Sequence, residues 1–239
     1  MGFPSITLAG RLLGGVAALE RLVLPSRCLL CDAVGSVGLD LCRACHRDLP
    51  WQGFACLRCA EPLMGAEGAT PCGRCQRAPL PFEAVVATFR YERPVDQLVR
   101  RFKFHQDLAA GRVLAELMAE RFVPLPRPPV LVPVPLHPSR LRARGYDQAS
   151  QLARLLAWRV ALPRMALLRR MVATAPQSEL GALERRRNLR DAFVCRRPPP
   201  AHVVLVDDVM TTGATLGAAA EALRRGGAQR VDAWVCARA

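Results

Sequence analysis

The sequence is poor in lysine, in aromatic residues and in long apolar runs. Lys103 is the only lysine among 34 basic residues, and aromatic residues make up 5% of the 239 positions, so a core has to be built mostly from Leu, Val and Ala. No apolar stretch reaches the roughly 18 residues of a membrane-spanning helix. No basic residue precedes Arg11, although a secretory signal begins with one. We therefore expect neither a transmembrane helix nor a secreted protein.

The composition and the charge indicate a folded protein that attracts phosphate groups. Hydrophobic residues make up 51% and charged residues 23%, which argues against a disordered chain. The net charge is +14, and residues 140–197 contain 14 arginines against four acidic residues. A positive field of this kind attracts phosphates, either on a small metabolite or on nucleic acid.

Eight of the ten cysteines form four CxxC pairs near the start of the chain. Two such pairs supply the four thiolates that structural zinc prefers, so four pairs predict two closed zinc sites. Without a secretory signal we expect a reducing compartment, which disfavours disulfides. We favour sequential pairing, with one ribbon over 28–45 and another over 56–75, and an interleaved cross-brace is the alternative. The predicted ligands are Cys28, Cys31, Cys42, Cys45, Cys56, Cys59, Cys72 and Cys75.

Strand and helix patterns alternate in the rest of the chain. The predicted strands cover 83–91, 130–134, 166–171, 191–195, 202–208 and 230–237. The predicted helices cover 95–104, 107–122, 145–160 and 214–227. This alternation indicates an α/β domain with a mostly parallel, Rossmann-like sheet.

The length suggests more than one domain. We predict three parts, an amphipathic helix over 1–27, a double zinc ribbon over 28–80 and the α/β domain over 81–239. The N-terminal helix is expected to dock on the protein, and a helix lying on a membrane surface is the alternative.

The segment VVLVDDVMTTGATL, residues 203–216, carries the strongest site signal. An apolar strand ends in Asp207 and Asp208, and a loop rich in Thr and Gly leads into a helix. Open α/β sheets bind ligands beyond the carboxyl ends of their strands, and backbone N–H groups before a helix surround phosphate. Two carboxylates suit the vicinal hydroxyls of a ribose, directly or through Mg²⁺ and its waters.

This segment resembles the motif that binds phosphoribosyl pyrophosphate (PRPP) in type I phosphoribosyltransferases. It lacks the GK[ST] of a Walker A loop. The resemblance implies that PRPP binds with Mg²⁺ and that Asp207 and Asp208 are the catalytic carboxylates that contact the ribose. The loop that would hold the 5-phosphate consists of Thr211, Thr212, Gly213, Ala214 and Thr215.

Four CxxC pairs ahead of such a domain, with RRFKFHQD, VPVPLHPSRLRARGYDQA and TAPQSELGALERRRNLRDAF, resemble the ComF family, also called GntX-like. The resemblance implies a pyrophosphate loop near 134–144, in which Arg140 and Arg144 bind pyrophosphate. It also implies a flexible loop over 174–190 that closes on the site. The site residues of this second loop would be Gln177, Arg187 and Asn188. Lys103 matches a family position as well, as a phosphate contact or as a surface lysine.

The family resemblance implies a role in natural competence, in the uptake or use of DNA on the cytoplasmic side. Competence or DNA-processing proteins are the expected partners, and any membrane association would pass through them. We expect a phosphoribosyltransferase that uses PRPP and an unidentified acceptor. Two alternatives stay open, a PRPP sensor without turnover and a protein that binds single-stranded DNA through residues 140–197.

Overall fold

A computed structural model describes residues 26–63, 70–172 and 192–239, which form two compact units. The first unit ends at Asp48, and the second extends from Leu49 to Ala239. The predicted helix over 1–27 lies outside the described residues except for its last two positions. The loop predicted over 174–190 lies outside them completely. The domain boundary between residues 80 and 81 stays a prediction.

The first unit is built from tight turns around four cysteines. Arg27 pairs with Val34 in an isolated antiparallel bridge, and a short helix, α1 (Arg43–Arg47), follows. This helix begins at Cys42, whose sulfur accepts a hydrogen bond from the backbone N–H of Cys45 at 3.4 Å. The turns direct the cysteine side chains to one point.

The second unit contains a parallel sheet, as the sequence predicts. The strands are β1 (Val85–Arg90), β2 (Leu131–Pro133), β3 (Leu168–Arg170), β4 (Phe193–Cys195), β5 (His202–Met210) and β6 (Arg230–Arg238). Four of them form a sheet in the order β1-β6-β5-β2, and each neighbouring pair is parallel. β3 and β4 form a separate antiparallel pair. The α/β class with a mostly parallel sheet is thereby confirmed.

Three helices of the second unit pack against this sheet. The described helices of this unit are α2 (Gly73–Arg77), α3 (Val95–Phe104), α4 (Leu108–Phe122), α5 (Pro138–Arg144), α6 (Gln148–Val160) and α7 (Ala214–Arg225). Those that pack against the sheet are α4, α6 and α7. Asp107 and Asp147 cap α4 and α6, since their carboxylates accept hydrogen bonds from the N–H groups of Ala110 and Ser150. No helix among the described residues has both the length and the apolarity to cross a membrane.

The helix α5 differs from the prediction, which left residues 138–144 without a helix. It is only two turns long, so it offers too few apolar positions for a helical period to be recognised. His137 caps its first turn, Pro138 occupies the first helical position, and Gly145 ends it at φ 81°. The pattern over 145–160 therefore corresponds to α6 alone.

The core of the second unit includes cysteines of the predicted zinc ribbon over 56–75 as well as the sheet. Cys56, Cys59 and Cys75 are buried in the same hydrophobic cluster as Phe82 and Leu216. Burying one such apolar side chain contributes roughly 1.5–3 kcal/mol. The cysteines and the sheet therefore belong to one folding core.

Candidate functional site

The eight predicted cysteine ligands form two groups of four. The first group is Cys28, Cys31, Cys42 and Cys45, and the second is Cys56, Cys59, Cys72 and Cys75. Within each group the sulfur atoms all lie within 4.8 Å of one another. The sequential pairing is thereby confirmed, and the interleaved alternative is wrong.

The sulfur geometry fits zinc and not disulfides. The Sγ atoms of Cys31 and Cys42 are 3.7 Å apart, and those of Cys59 and Cys72 are also 3.7 Å apart. A tetrahedral zinc with Zn–S bonds of about 2.3 Å separates its sulfurs by about 3.8 Å. Both groups therefore fit a structural zinc ion with four thiolate ligands and no open position.

The backbone around each group favours the thiolate form of one cysteine. Burial raises the pKa of Cys56, but hydrogen bonds from backbone N–H groups, above all that of Cys72, outweigh it and lower the pKa to about 7. The same balance lowers the pKa of Cys28 to about 6. Since zinc binds thiolates, the turns prepare one ligand of each group for the metal.

The acidic pair lies near the carboxyl end of β5, a central strand of the sheet. Asp207 is half-buried and Asp208 is buried, with 7% of its surface exposed. Burial and the negative charge of Asp208 raise the pKa of Asp207 to about 8, although Lys103 opposes the shift. The two acidic residues thus lie at the same end of the sheet, and neither of them is exposed.

The loop after β5 has the conformation that its glycine predicts. Gly213 adopts φ +81° and leads into α7, and the N–H of Ala214, the first residue of this helix, donates to Oγ1 of Thr212 at 3.3 Å. A Cβ atom at this position would lie 2.7 Å from the Cε atom of Met210, which is the end of a flexible side chain and can shift, so it is the positive φ that favours glycine here. Thr211 and Thr212 are exposed, and the N–H groups at the start of α7 form an electropositive helix end. This loop has the form of a phosphate-binding turn.

Lys103 forms an ion pair with Asp208. Its Nζ atom lies 2.9 Å from Oδ2 and 3.2 Å from Oδ1 of the carboxylate. Only 25% of the lysine side chain and 11% of the aspartate side chain are exposed. Lys103 is therefore part of the candidate site and not a surface lysine.

The predicted pyrophosphate loop follows β2, which pairs with β5. Pro133 lies opposite Val206, and the N–H of Val134 donates to the carbonyl of Val206, so the loop leaves the sheet beside Asp207. Asp147 fixes the loop, because its Oδ2 atom accepts a hydrogen bond from the N–H of Leu136 at 2.6 Å. The carboxylate of Asp147 therefore both caps α6 and holds the loop that follows β2.

Both arginines predicted for this loop lie on α5. Arg140 is half-buried, and Arg144 donates to Gln148 at 3.1 Å while its guanidinium lies 5.3 Å from the ring centre of Phe104. Arg142, between them, is exposed. Arg140 and Arg144 are therefore less exposed to solvent than Arg142. The remaining predicted residues, Gln177, Arg187 and Asn188, lie outside the described residues.

Arg170 is a site residue that the sequence did not reveal. It ends β3, is 7% exposed, and its guanidinium lies 5.3 Å from the ring centre of Phe193. Burial and the positive charge of Arg140 lower its pKa, whereas Asp207 and Asp147 oppose the shift. Arg170 therefore interacts electrostatically with Arg140, Asp207 and Asp147. Only the arginine-rich run at 169–170 hinted at it, and a solvated charge gives the same pattern.

The second group of cysteines is connected to the end of β5. The buried guanidinium of Arg238 donates to the carbonyl of Cys59 at 3.0 Å and to that of Met210 at 3.4 Å, and it pairs with Glu61. Met210 is the last residue of β5, directly before the loop that leads into α7. One side chain thus joins a zinc ligand to the strand that carries the acidic pair.

The fold and the two cysteine groups define a phosphoribosyltransferase-type α/β protein with a zinc ribbon. Two family models match the chain, the double zinc ribbon domain at residues 19–76 and the phosphoribosyl transferase domain at residues 196–239. Among solved structures, adenine phosphoribosyltransferase from Leishmania tarentolae matches with a TM-score of 0.38 and 14% identity, over 62% of this chain and 74% of that one. Orotate phosphoribosyltransferase from Aeropyrum pernix matches with a TM-score of 0.34 and 22% identity, over 55% and 60%.

Two curated relatives extend over nearly the whole chain. DNA utilization protein YhgH of Salmonella typhi is 36% identical over 226 residues, which cover 91% of this chain and 99% of that protein. Competence protein F of Haemophilus influenzae is 32% identical over 225 residues, which cover 89% and 97%. The chain therefore belongs to the ComF family, as its sequence motifs predict.

Proposed function

We propose that this chain binds PRPP together with Mg²⁺ and transfers its phosphoribosyl group to a nitrogen nucleophile during the use of imported DNA. The observation that carries the proposal is the acidic pair near the carboxyl end of β5, followed by the glycine turn at the start of α7. Open α/β sheets bind ligands at this place. The names of the curated relatives supply the connection to DNA utilization and competence.

Each part of the proposed ligand has a partner in the site. The carboxylates of Asp207 and Asp208 would accept hydrogen bonds from the two ribose hydroxyls. The backbone N–H groups and hydroxyls of residues 211–215 would donate to the 5-phosphate. Arg140 and Arg144 would bind the pyrophosphate, with further contacts from Gln177, Arg187 and Asn188.

The residues present fit a divalent cation at the acidic pair. Asp208 already holds the ammonium of Lys103 with both oxygens, so its carboxylate is oriented for a positive charge. Carboxylate oxygens are the ligands that Mg²⁺ takes from proteins, alongside waters and phosphate oxygens. When bound, Mg²⁺ would supply positive charge to the departing pyrophosphate.

The proposed reaction exchanges one bond at the anomeric carbon of PRPP. The bond from this carbon to the pyrophosphate oxygen breaks, and the oxygen keeps the electron pair. The lone pair of the nitrogen nucleophile forms the new bond, and the nitrogen then releases its proton. The protein would contribute positioning and charge stabilisation, since arginines beside the leaving group stabilise the negative charge that develops there.

The first test is calorimetric titration of the zinc-loaded protein with PRPP and Mg²⁺. We expect binding by the wild type and no measurable binding by Asp207→Asn/Asp208→Asn, because the amides lose the charge and half of the acceptor oxygens. Glu221→Gln, on the exposed side of α7, removes a carboxylate elsewhere and should bind as the wild type does. Equal binding by the wild type and the double variant would overturn the proposed site. Binding without product formation against nucleobases or DNA would favour a PRPP sensor.

A second candidate function is the binding of single-stranded DNA. It is favoured by the net excess of ten positive charges over residues 140–197 and by exposed arginines such as Arg142 and Arg154. Phosphate contacts alone supply affinity for nucleic acid without sequence preference. We propose that this binding acts on the cytoplasmic side through contacts with DNA-processing partners.

A further inference from the structure

The position of Lys103 is unusual for a lysine in this chain. It is the only lysine among 34 basic residues, and it lies in the last turn of α3. Its partner Asp208 is 105 positions later in the sequence, near the carboxyl end of β5. The packing of α3 against the core brings the two together, because Val99 and Phe102 of this helix are buried.

The contact has the form of a cation held by both oxygens of a carboxylate. Nζ lies 2.9 Å from Oδ2 and 3.2 Å from Oδ1 of Asp208, and Oδ1 also accepts a hydrogen bond from the N–H of Val209 at 2.7 Å. An ammonium is a compact point charge, whereas a guanidinium is a planar fork. The lysine therefore occupies the place at which a metal ion would approach the same two oxygens.

We propose that Lys103 is an internal counter-ion that keeps divalent cations off Asp208 when no phosphate ligand is bound. This inference rests on the proposed PRPP site. A divalent ion and the ammonium compete for the same oxygens, so a free cation has to displace a largely buried ion pair. The phosphates of PRPP offer the ammonium other acceptors. The site then takes up the cation together with PRPP and not before it.

The test compares the affinity for Mn²⁺, a paramagnetic probe for Mg²⁺ sites, in three forms of the zinc-loaded protein. Lys103→Met removes the ammonium and keeps an unbranched apolar chain. Arg100→Met removes one positive charge from an exposed position of the same helix. Electron paramagnetic resonance follows the loss of the free Mn²⁺ signal, without PRPP and then with it.

Without PRPP, we expect Lys103→Met to bind Mn²⁺ at least about tenfold more tightly than the wild type, since one charge-assisted hydrogen bond no longer competes. Arg100→Met should stay within about twofold of the wild type, because solvent and salt screen its charge. With PRPP, the affinity of the wild type for Mn²⁺ should rise, and that of Lys103→Met should rise much less. A merely structural role of Lys103 would not tighten the binding of a cation.

Equal Mn²⁺ affinity of Lys103→Met and Arg100→Met would overturn the inference. Thermal unfolding shows whether Lys103→Met is folded, and Lys103→Gln replaces it if it is not. The comparison without PRPP is independent of the proposed function. Failure of the wild type to bind PRPP would therefore overturn the proposed function and leave the Mn²⁺ comparison to decide the role of Lys103.

Discussion

Asp207 lies in surroundings that favour its protonated form. Burial disfavours the carboxylate, and the adjacent charge of Asp208 adds to this, so the pKa rises from 3.8 to about 8. Lys103 and the N–H of Asp208 oppose the shift without cancelling it. A carboxyl group of this kind takes up a proton in the folded state that the unfolded chain does not hold at the same pH.

We predict that Asp207 makes the folded state less stable as the pH rises from about 4 to about 8. The unfolded carboxyl ionises first, so the folded state holds more protons over this window and loses stability by at most about 1.4 kcal/mol per pH unit. The contribution of Asp207 to stability is fully present below the pKa of its carboxyl in the unfolded chain. It is lost as the pH rises through the pKa of the same carboxyl in the folded protein. Asp207→Asn cannot titrate, and its stability relative to the wild type should therefore increase with pH.

Urea unfolding of the zinc-loaded wild type and of Asp207→Asn at about pH 5 and about pH 8 measures this effect. Zinc binding also depends on pH, so the two proteins are compared at each pH and not across it. A stability difference that is the same at both pH values would contradict the prediction.

At the scale of secondary structure, the sequence predicts what is local and misses what depends on packing. The run HVVLVDD at 202–208 predicts β5 because a buried parallel strand is apolar throughout, and the cysteine spacing predicts both ligand groups. The short helix α5 is not predicted, because two turns are too short to show a helical period of apolar residues. The pairing of Lys103 with Asp208 is not predicted either, because only tertiary packing brings together two residues that are 105 positions apart.

The sequence also does not predict that the second cysteine group lies in the core. The spacing of CxxC pairs suggests two equivalent ribbons, yet Cys59 is fully buried in the cluster that contains the sheet, whereas Cys31 is exposed. The link through Arg238 to Met210 follows from this burial. The two zinc sites are therefore expected to differ in what they stabilise.

We predict that Cys59→Ser abolishes PRPP binding and lowers the melting temperature of the second unit, whereas Cys31→Ser keeps PRPP binding. Cys59 belongs to the core that carries the acidic pair, and Cys31 belongs to the unit that ends at Asp48. Each variant should retain one zinc ion per chain instead of two, since three thiolates bind zinc much more weakly than four. Zinc analysis, thermal unfolding and PRPP titration check the three parts.

The matched variants make this prediction easy to contradict. Equal loss of PRPP binding by both would mean that the first zinc site supports the ligand site as strongly as the second. Retention of PRPP binding by Cys59→Ser, with one zinc ion lost, would mean that the connection through Arg238 has no effect on the site.

At the scale of the whole molecule, the net charge of +14 exceeds what one small ligand needs. Some of the arginines serve structure, such as Arg127, which donates to carbonyls at the end of α6, and Arg159, which pairs with Glu116. Others, such as Arg142, face the solvent. Exposed positive charge that no protein group neutralises is the part available to a polyanion such as single-stranded DNA.

We predict that Arg142→Gln/Arg154→Gln weakens binding to a fluorescent oligo(dT) strand and reduces its dependence on salt. Each lost phosphate contact lowers the slope of log affinity against log salt by about 0.7 for a single strand, so two contacts lower it by about 1.4. Arg100→Gln/Arg225→Gln removes the same charge from α3 and α7 and should keep the slope of the wild type. Fluorescence anisotropy at several salt concentrations measures both. A PRPP titration would confirm that the ligand site of Arg142→Gln/Arg154→Gln is intact. An unchanged slope in this variant would exclude this surface of α5 and α6 as the DNA contact.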